Sequence, residues 1–352
     1  MQLGTKRKKI LNSVNYFRGI AIFIIVLGHC YDLSRWEVSG NLEEIFYSIS
    51  LNGSVYFVFI SGFLYHYIFY HKFDFKKFME KKAKHVLLPY LLFSALPILY
   101  VVFLGNGGTY LPESLQAKPF LAVVWYFLTG RISYAYWYIP MAFLIFAISP
   151  LINEIIRSDW MPQIAALLLG ISLVVHRPID NINPIHSFIY YLPVYLIGIL
   201  SSIHYRGICA FLESKVSKAI LIAIALNLSI IQVLVFNVSG NFHKQFWSIS
   251  VPDVNLLQKV LLCFLLVSIL DRYEDTDLTL FKKTAETSFA VYFIHPFLIN
   301  ALISMTYRLN FDYQGNIFLL ILTALMISSM SMGIALCFKA VFKQNSCYLV
   351  GW

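Results

Sequence analysis

The chain has 352 residues, of which 59% are Ala, Val, Ile, Leu, Met, Phe, Trp, Tyr or Cys and only 13% are charged, with a mean hydropathy of +0.70. A soluble protein carries about 25% charged residues, and the apolar residues here come in blocks of roughly twenty, each long enough to cross a hydrocarbon layer about 30 Å thick as a helix. These features exclude a secreted disulfide scaffold, a nucleic-acid-binding domain and a cytosolic enzyme. The formal net charge of +9 belongs with membrane topology. Cys30, Cys209, Cys263, Cys337 and Cys347 are scattered with no C-x-x-C pair, so no zinc site or disulfide framework is expected.

Reading apolar blocks against breakers predicts an all-α polytopic bundle of about ten transmembrane helices, near 10–31, 44–70, 86–104, 134–156, 161–176, 186–205, 217–237, 253–271, 286–308 and 315–342. No internal repeat or long linker interrupts them, so residues 1–352 read as a single membrane-embedded domain. Lys6, Arg7, Lys8 and Lys9 precede the first block as in a signal peptide, but His29, Cys30, Tyr31 and Asp32 follow it in place of a small-residue cleavage site, which predicts a retained span. The segment 119–130 is apolar but short, as in a re-entrant or interfacial piece.

The Lys and Arg distribution predicts orientation. With the N-terminus inside, nineteen lie on the cytoplasmic side and seven on or near the other: Arg35, Lys118, Arg131, Arg177, Lys244, Lys259 and Arg308. That is the bias of the positive-inside rule, and it places both termini and the 71–85 loop in the cytoplasm.

The first span holds two ionisable residues, Arg18 and His29. Eleven residues of α-helix bring them to within roughly 20° of one face and about 16 Å apart along the axis. A charged side chain within a membrane costs roughly 2.5–3.5 kcal/mol on insertion scales, so it is usually retained for a purpose. Two readings stand: both residues line one pathway, or Arg18 snorkels to the inner interface while His29 satisfies a local hydrogen bond.

The run Val14-Asn15-Tyr16-Phe17-Arg18-Gly19-Ile20-Ala21 with His29 resembles the N-terminal signature of the membrane acyltransferase-3 family, integral membrane O-acyltransferases of bacterial surface glycans. Further stretches resemble the family's motifs in order: Phe57-Val58-Phe59-Ile60-Ser61-Gly62-Phe63-Leu64; Lys81-Lys82-Ala83-Lys84-His85 before Pro89-Tyr90; Trp137-Tyr138-Ile139 with Ser149-Pro150-Leu151; Tyr191-Leu192-Pro193 with Gly198; and Ser288 to Pro296. Together they cover nearly the whole chain. Two positions depart from the pattern. Asn15 stands where the family often has an acid, and lysines and a histidine stand where its basic loop is usually arginine-rich. The second change keeps the charge but removes bidentate phosphate recognition.

The resemblance implies transfer of an acyl group, commonly acetyl from acetyl-CoA, to a hydroxyl of a polysaccharide or lipid-linked glycan of the cell envelope. It places the chain as a multi-pass protein of the bacterial plasma (inner) membrane. Acetyl-CoA or another acyl-CoA is then a co-substrate, with no permanently bound cofactor and no metal. The partners are acyl-CoA, the glycan acceptor and membrane lipid, with no nucleic acid; homo-oligomerisation is left open. His29 is the candidate base, because a neutral imidazole can take the proton of an attacking sugar hydroxyl. Asp32 either orients that imidazole or is a loop-end acid in water. Lys81, Lys82, Lys84 and His85 are the candidate donor contacts, in a cytoplasmic loop whose six lysines alternate with Phe73, Phe75, Phe78 and Met79 as in an interfacial amphipathic helix. Without the resemblance, that loop reads as topology and attraction to anionic lipid. Ser61, Trp137, Tyr138, Tyr292 and His295 are candidates for the substrate pathway, against plain readings as helix contacts, an aromatic belt or a packed kink.

Two other functional classes compete. A glycan exporter or flippase would use a polar pathway too, but would tend to show broken helices or repeat symmetry. A catalytically silent assembly partner would have little use for both Arg18 and His29. Asp275-Thr276-Asp277 resembles a metal-nucleotide triplet but lies in a charged stretch beginning at Asp271.

Overall fold

A computed structural model describes residues 11–105, 110–246, 248 and 250–351; the basic cluster at 6–9 lies outside the described residues. The elements used below are α1 (Asn12–His29), α2 (Asn41–Ser50), α3 (Ser54–Leu64), α4 (Phe75–Lys82), α5 (Leu88–Leu99), α6 (Pro119–Thr129), α7 (Tyr138–Ala147), α8 (Ser149–Arg157), α9 (Met161–Val175), α10 (Pro184–Ile203), α11 (Lys215–Ile230), α12 (Val254–Asp271), α13 (Thr279–Glu286), α14 (Ser288–Arg308), α15 (Ile317–Phe342) and α16 (Ser346–Val350).

Helix starts follow local chemistry. Proline opens α6 and α10, where its missing N–H costs nothing. Side chains of Asp74, Asn183, Ser214, Asp253 and Asn316 accept from free backbone N–H groups at the starts of α4, α10, α11, α12 and α15. A wide π-type turn followed by a 3-10 turn carries α3 on to Lys72, and π-type turns join α4 to α5 and extend α5 to Leu104, so 41–72 and 75–104 each run as one long, broken helix.

The protein is an all-α polytopic membrane bundle. Each of the ten expected intervals falls on helix. Among the described residues, seven helices are long and apolar enough to cross a membrane, or eight if α7 and α8, bent by 57°, form one span. α1 is not among the seven, and α9 has 15 residues. Exposed apolar side chains such as Leu96 and Leu104 beside α5 and Phe318 and Leu322 on α15 form the lipid-facing exterior.

The centre of the bundle is α3 against α10. A Cβ on Gly62 would lie 2.0 Å from the Tyr195 carbonyl oxygen and one on Gly198 would lie 2.1 Å from that of Phe59. Only glycine lets the two backbones approach so closely. The Ser-Gly pair thus sets helix spacing, and α1, α7, α9 and α12 pack around it, with α14 against α1.

The charged stretch at 271–277 anchors α1. The Glu274 carboxylate accepts from the backbone N–H groups of Asn12 (3.0 Å) and Ser13 (2.8 Å), where the helix dipole favours an anion. Tyr16 donates to the Thr276 carbonyl at 2.5 Å.

Candidate active site

His29 is the last residue of α1. Its ring lies 4.6 Å from that of Tyr134 and stacks on His295 at 5.4 Å, with planes 27° apart. His295 is fully buried on α14, and its Nδ1 lies 2.9 Å from the Val291 carbonyl oxygen. A carbonyl only accepts, so Nδ1 carries the proton and Nε2 is left an acceptor. Among the described residues that buried Nε2 has no partner, and neither has the Tyr134 hydroxyl.

The segment between α6 and α7 brings Tyr134 and Trp137 to this point. Gly130 ends α6 in the left-handed region at φ 70° and turns the chain inward. Two hydrogen bonds then fix the segment to α14: Tyr136 donates to the Phe293 carbonyl (2.7 Å) and Tyr292 to the Ala135 carbonyl (2.5 Å).

His29 lines two adjoining spaces. One is a cavity of about 460 Å³, also lined by Asn52, Tyr110, Arg131, Trp137, Arg177 and His243. The other is a slot of only about 10 Å³ leading into the bundle, lined by Phe57, Trp137, Tyr138, Phe289 and Tyr292. His29, Ile25, Ser54 and Trp137 border both. A site with a few convergent polar groups in a concavity is the usual form of a small-molecule site.

At its inner end the slot meets Phe289, next to Ser288, which accepts a hydrogen bond from the Arg18 guanidinium at 3.0 Å. Lys82 lies within electrostatic reach of Arg18, with its ammonium 4.4 Å from the Phe146 ring centroid and 5.3 Å from that of Phe78. Arg18 thus reaches α14 at Ser288, one residue before a slot residue, while His29 borders the slot itself.

The other sequence candidates are spread differently. Lys81, Lys84 and His85 are exposed, Lys81 5.9 Å from the Phe69 ring and His85 stacked on Tyr348 at 6.0 Å. Ser61 is half-buried and borders neither the cavity nor the slot. Asp32 is exposed in a cleft beyond His29, and among the described residues no hydrogen bond joins the two. No three His, Cys, Asp or Glu of the described residues converge as a metal site.

Arg131 and Arg177, read from the sequence only as minority external charges, are cavity residues. Each is 5% exposed. Arg177 starts a two-residue strand, Arg177–Pro178, paired in parallel with His243–Lys244. It donates to Asn52 Oδ1 (3.4 Å) and Asn181 Oδ1 (3.2 Å) and lies 5.1 Å from the Trp137 ring. Asn52 breaks the chain between α2 and α3 at φ 60°, a conformation that asparagine tolerates. It also accepts from Tyr191 and donates to Tyr190 and Asn255. Lys259, wholly buried, donates to the Ser48 and Ile49 carbonyls at the end of α2, holding the cavity wall to α12. The available signal was that these cations sit against the charge bias of the rest of the chain.

The family model described as an acyltransferase domain, of the acyltransferase-3 family, matches residues 11–338. The chain belongs to this family. It is a membrane acyltransferase, and Arg18, His29, Arg131, Arg177 and His295 all lie within the matched residues. No curated protein and no solved structure matches it.

Proposed function

We propose that the protein moves acetyl from acetyl-CoA to a hydroxyl of a bacterial envelope polysaccharide or lipid-linked glycan, with His29 as general base. The observation that carries this reading is the position of His29 at the junction of the 460 Å³ cavity and the slot. A bulky, polar acceptor suits the cavity; a narrow thioester arm suits the slot. The slot has room for about one water, so the donor must displace its aromatic walls, Tyr138 and Tyr292 foremost.

In the proposed step the sugar oxygen attacks the thioester carbonyl carbon as His29 takes the hydroxyl proton. The carbon–sulfur bond then breaks, and the coenzyme A thiolate leaves with that proton as the free thiol. Lys82 and the exposed Lys81, Lys84 and His85 meet the donor's phosphates, with Arg18 adding its charge near Lys82. The donor comes from the cytoplasm, with both termini on that side of the inner membrane, as the nineteen-to-seven charge bias supports. A cysteine placed at position 77 that reacts with an impermeant reagent outside intact cells would overturn this orientation.

The decisive measurement is acetyl transfer by purified protein in lipid nanodiscs from labelled acetyl-CoA to a panel of envelope glycans. His29→Ala lowers the rate by roughly 10²–10⁴-fold, and His29→Gln fails similarly, because an amide cannot accept the proton. Robust transfer by the glutamine variant excludes the base role, and no transfer by the wild type excludes the acetyl-CoA and glycan assignment.

A further inference from the structure

The cavity beside His29 holds two buried cations that the acyl-transfer chemistry does not use. Arg131 has its guanidinium carbon 3.7 Å from the centroid of the Tyr110 ring, and Arg177 lies near Trp137. Among the described residues, each leaves its Nε–H buried without a partner. Among the described residues, the ion pairs join Arg35 to Asp312, Lys77 to Asp74 and Arg157 to Glu154; none involves Arg131 or Arg177.

The acids nearest these arginines do not neutralise them. Asp180 borders the same cavity and its field reaches Arg131, but it is exposed to water. Asp253 is wholly buried and within Coulombic reach of Arg177, but among the described residues the two form no ion pair: its oxygens accept from the Tyr190 hydroxyl (2.8 Å) and the Leu256 N–H (2.9 Å). A buried guanidinium without a carboxylate is costly, and two of them in one cavity, on the side of the chain otherwise poor in cations, imply a charged occupant.

The space beyond has the opposite character. A cleft of about 940 Å³ shares Tyr47 with the cavity and is bordered by Asp32, Glu37, Glu44 and Asp312, with Arg35 already paired to Asp312. Tyr31, Trp36, Tyr307 and Tyr313 also line it. An acidic cleft disfavours a polymer charged along its length, whereas the inner cavity favours a negative charge close to His29.

We infer that Arg131 and Arg177 form an anion subsite for the acceptor: the sugar that enters the cavity carries a carboxylate or a phosphate, and the part of the glycan lying in the outer cleft does not. This rests on the glycan-acceptor reading and narrows it to acidic or phosphorylated sugars. Arginine suits the task because its planar fork bonds both oxygens of either group, and Trp137 offers a ring face beside it.

The test is calorimetric titration of the purified protein, without acyl-CoA, with methyl glucuronide, glucosyl phosphate and methyl glucoside. The uronide or the phosphate binds about tenfold or more tightly than the glucoside, as expected for hydrogen bonds to a charged group, and the advantage shrinks as salt is raised. Preference for the uronide assigns the anion to a sugar carboxylate, and preference for the phosphate assigns it to a phosphoryl group. Arg131→Gln and Arg177→Gln each reduce the advantage, and Arg177→Lys keeps part of it. If neither anion outbinds the glucoside on the wild type, the inference is overturned. It is also overturned if the preference survives in the Arg131→Gln, Arg177→Gln double variant at unchanged melting temperature. Since the titration needs no donor, an anion preference without acyl transfer would remove the acetyltransferase reading and keep the subsite. Transfer to neutral glycans without the preference would do the reverse.

Discussion

The imidazoles of His29 and His295 stack at 5.4 Å, although 266 residues separate them in the chain. His295 has its proton on Nδ1, turned to its own helix, and a lone pair on Nε2 to which nothing among the described residues donates. An unsatisfied buried acceptor costs about 1–3 kcal/mol. A side chain kept at such a cost points to use in the reaction, where it can face the imidazolium that His29 becomes on taking a proton.

Replacing His295 by Phe separates that role from packing. The ring and the stack remain, the orphan acceptor goes, and Val291 keeps its helical partner. The variant should melt higher than the wild type while kcat falls about tenfold and KM for acetyl-CoA stays near its original value. Unchanged kcat would make His295 a packing residue only.

Arg18→Lys should not be conservative. The guanidinium reaches Ser288 at 3.0 Å and still has donors free for a second acceptor, whereas an ammonium is a hydrated point charge. We expect kcat/KM to drop about tenfold or more, the size of a lost charge-assisted hydrogen bond, with Ser288→Ala reproducing part of the loss at equal protein abundance. Full activity in the lysine variant would leave only charge as the requirement.

The basic helix predicts an unequal lysine series. Lys82 is drawn inward over Phe146 and toward Arg18, whereas Lys81 and Lys84 are exposed. Lys82→Ala alone should raise the apparent KM for acetyl-CoA about tenfold, and Lys81→Ala or Lys84→Ala should change it little singly and more together. Equal effects at all three positions would mean that the loop acts through its summed charge.

The strand pair that presents Arg177 should loosen in acid. Desolvation, with Arg177 and Arg131 adding to it, holds the His243 imidazole down to about 4, against a contact to the Pro178 carbonyl that raises it. One face of the ring is open to water, which screens part of this effect. A histidine depressed on folding binds its proton more readily when the chain is open. Its contribution to stability is therefore complete above about 6.5 and declines as pH falls toward 4. Amide exchange at Arg177, His243 and Lys244, corrected for intrinsic rates, should quicken across that window, and His243→Gln should flatten the change. Equal pH dependence in both proteins would remove His243 as the cause.

Much of the architecture was legible from hydropathy alone, because a lipid bilayer demands long apolar segments whose backbone bonds are internal. The ten apolar intervals accordingly fall on helix. The 3.6-residue period was enough to put Arg18 and His29 on one face, and the run of motifs was enough to name the family. Short-range composition did not show that α1 falls outside the seven helices apolar enough to span alone, although Arg18 and its polar first turn explain the deficit.

The site itself was decided by folding. Tyr134 and His295 reach His29 only because Tyr136 and Tyr292 tie the 133–137 segment to α14. Arg177 enters the cavity only because a two-residue strand pairs with His243–Lys244, 66 residues further along. Loop residues carry no periodicity that reports where their side chains point, so Arg131 and Arg177 look like any other external charge in the sequence. A helix keeps its own hydrogen bonds and can be read locally, whereas a cavity is made of contacts between distant segments and exists only once they have packed.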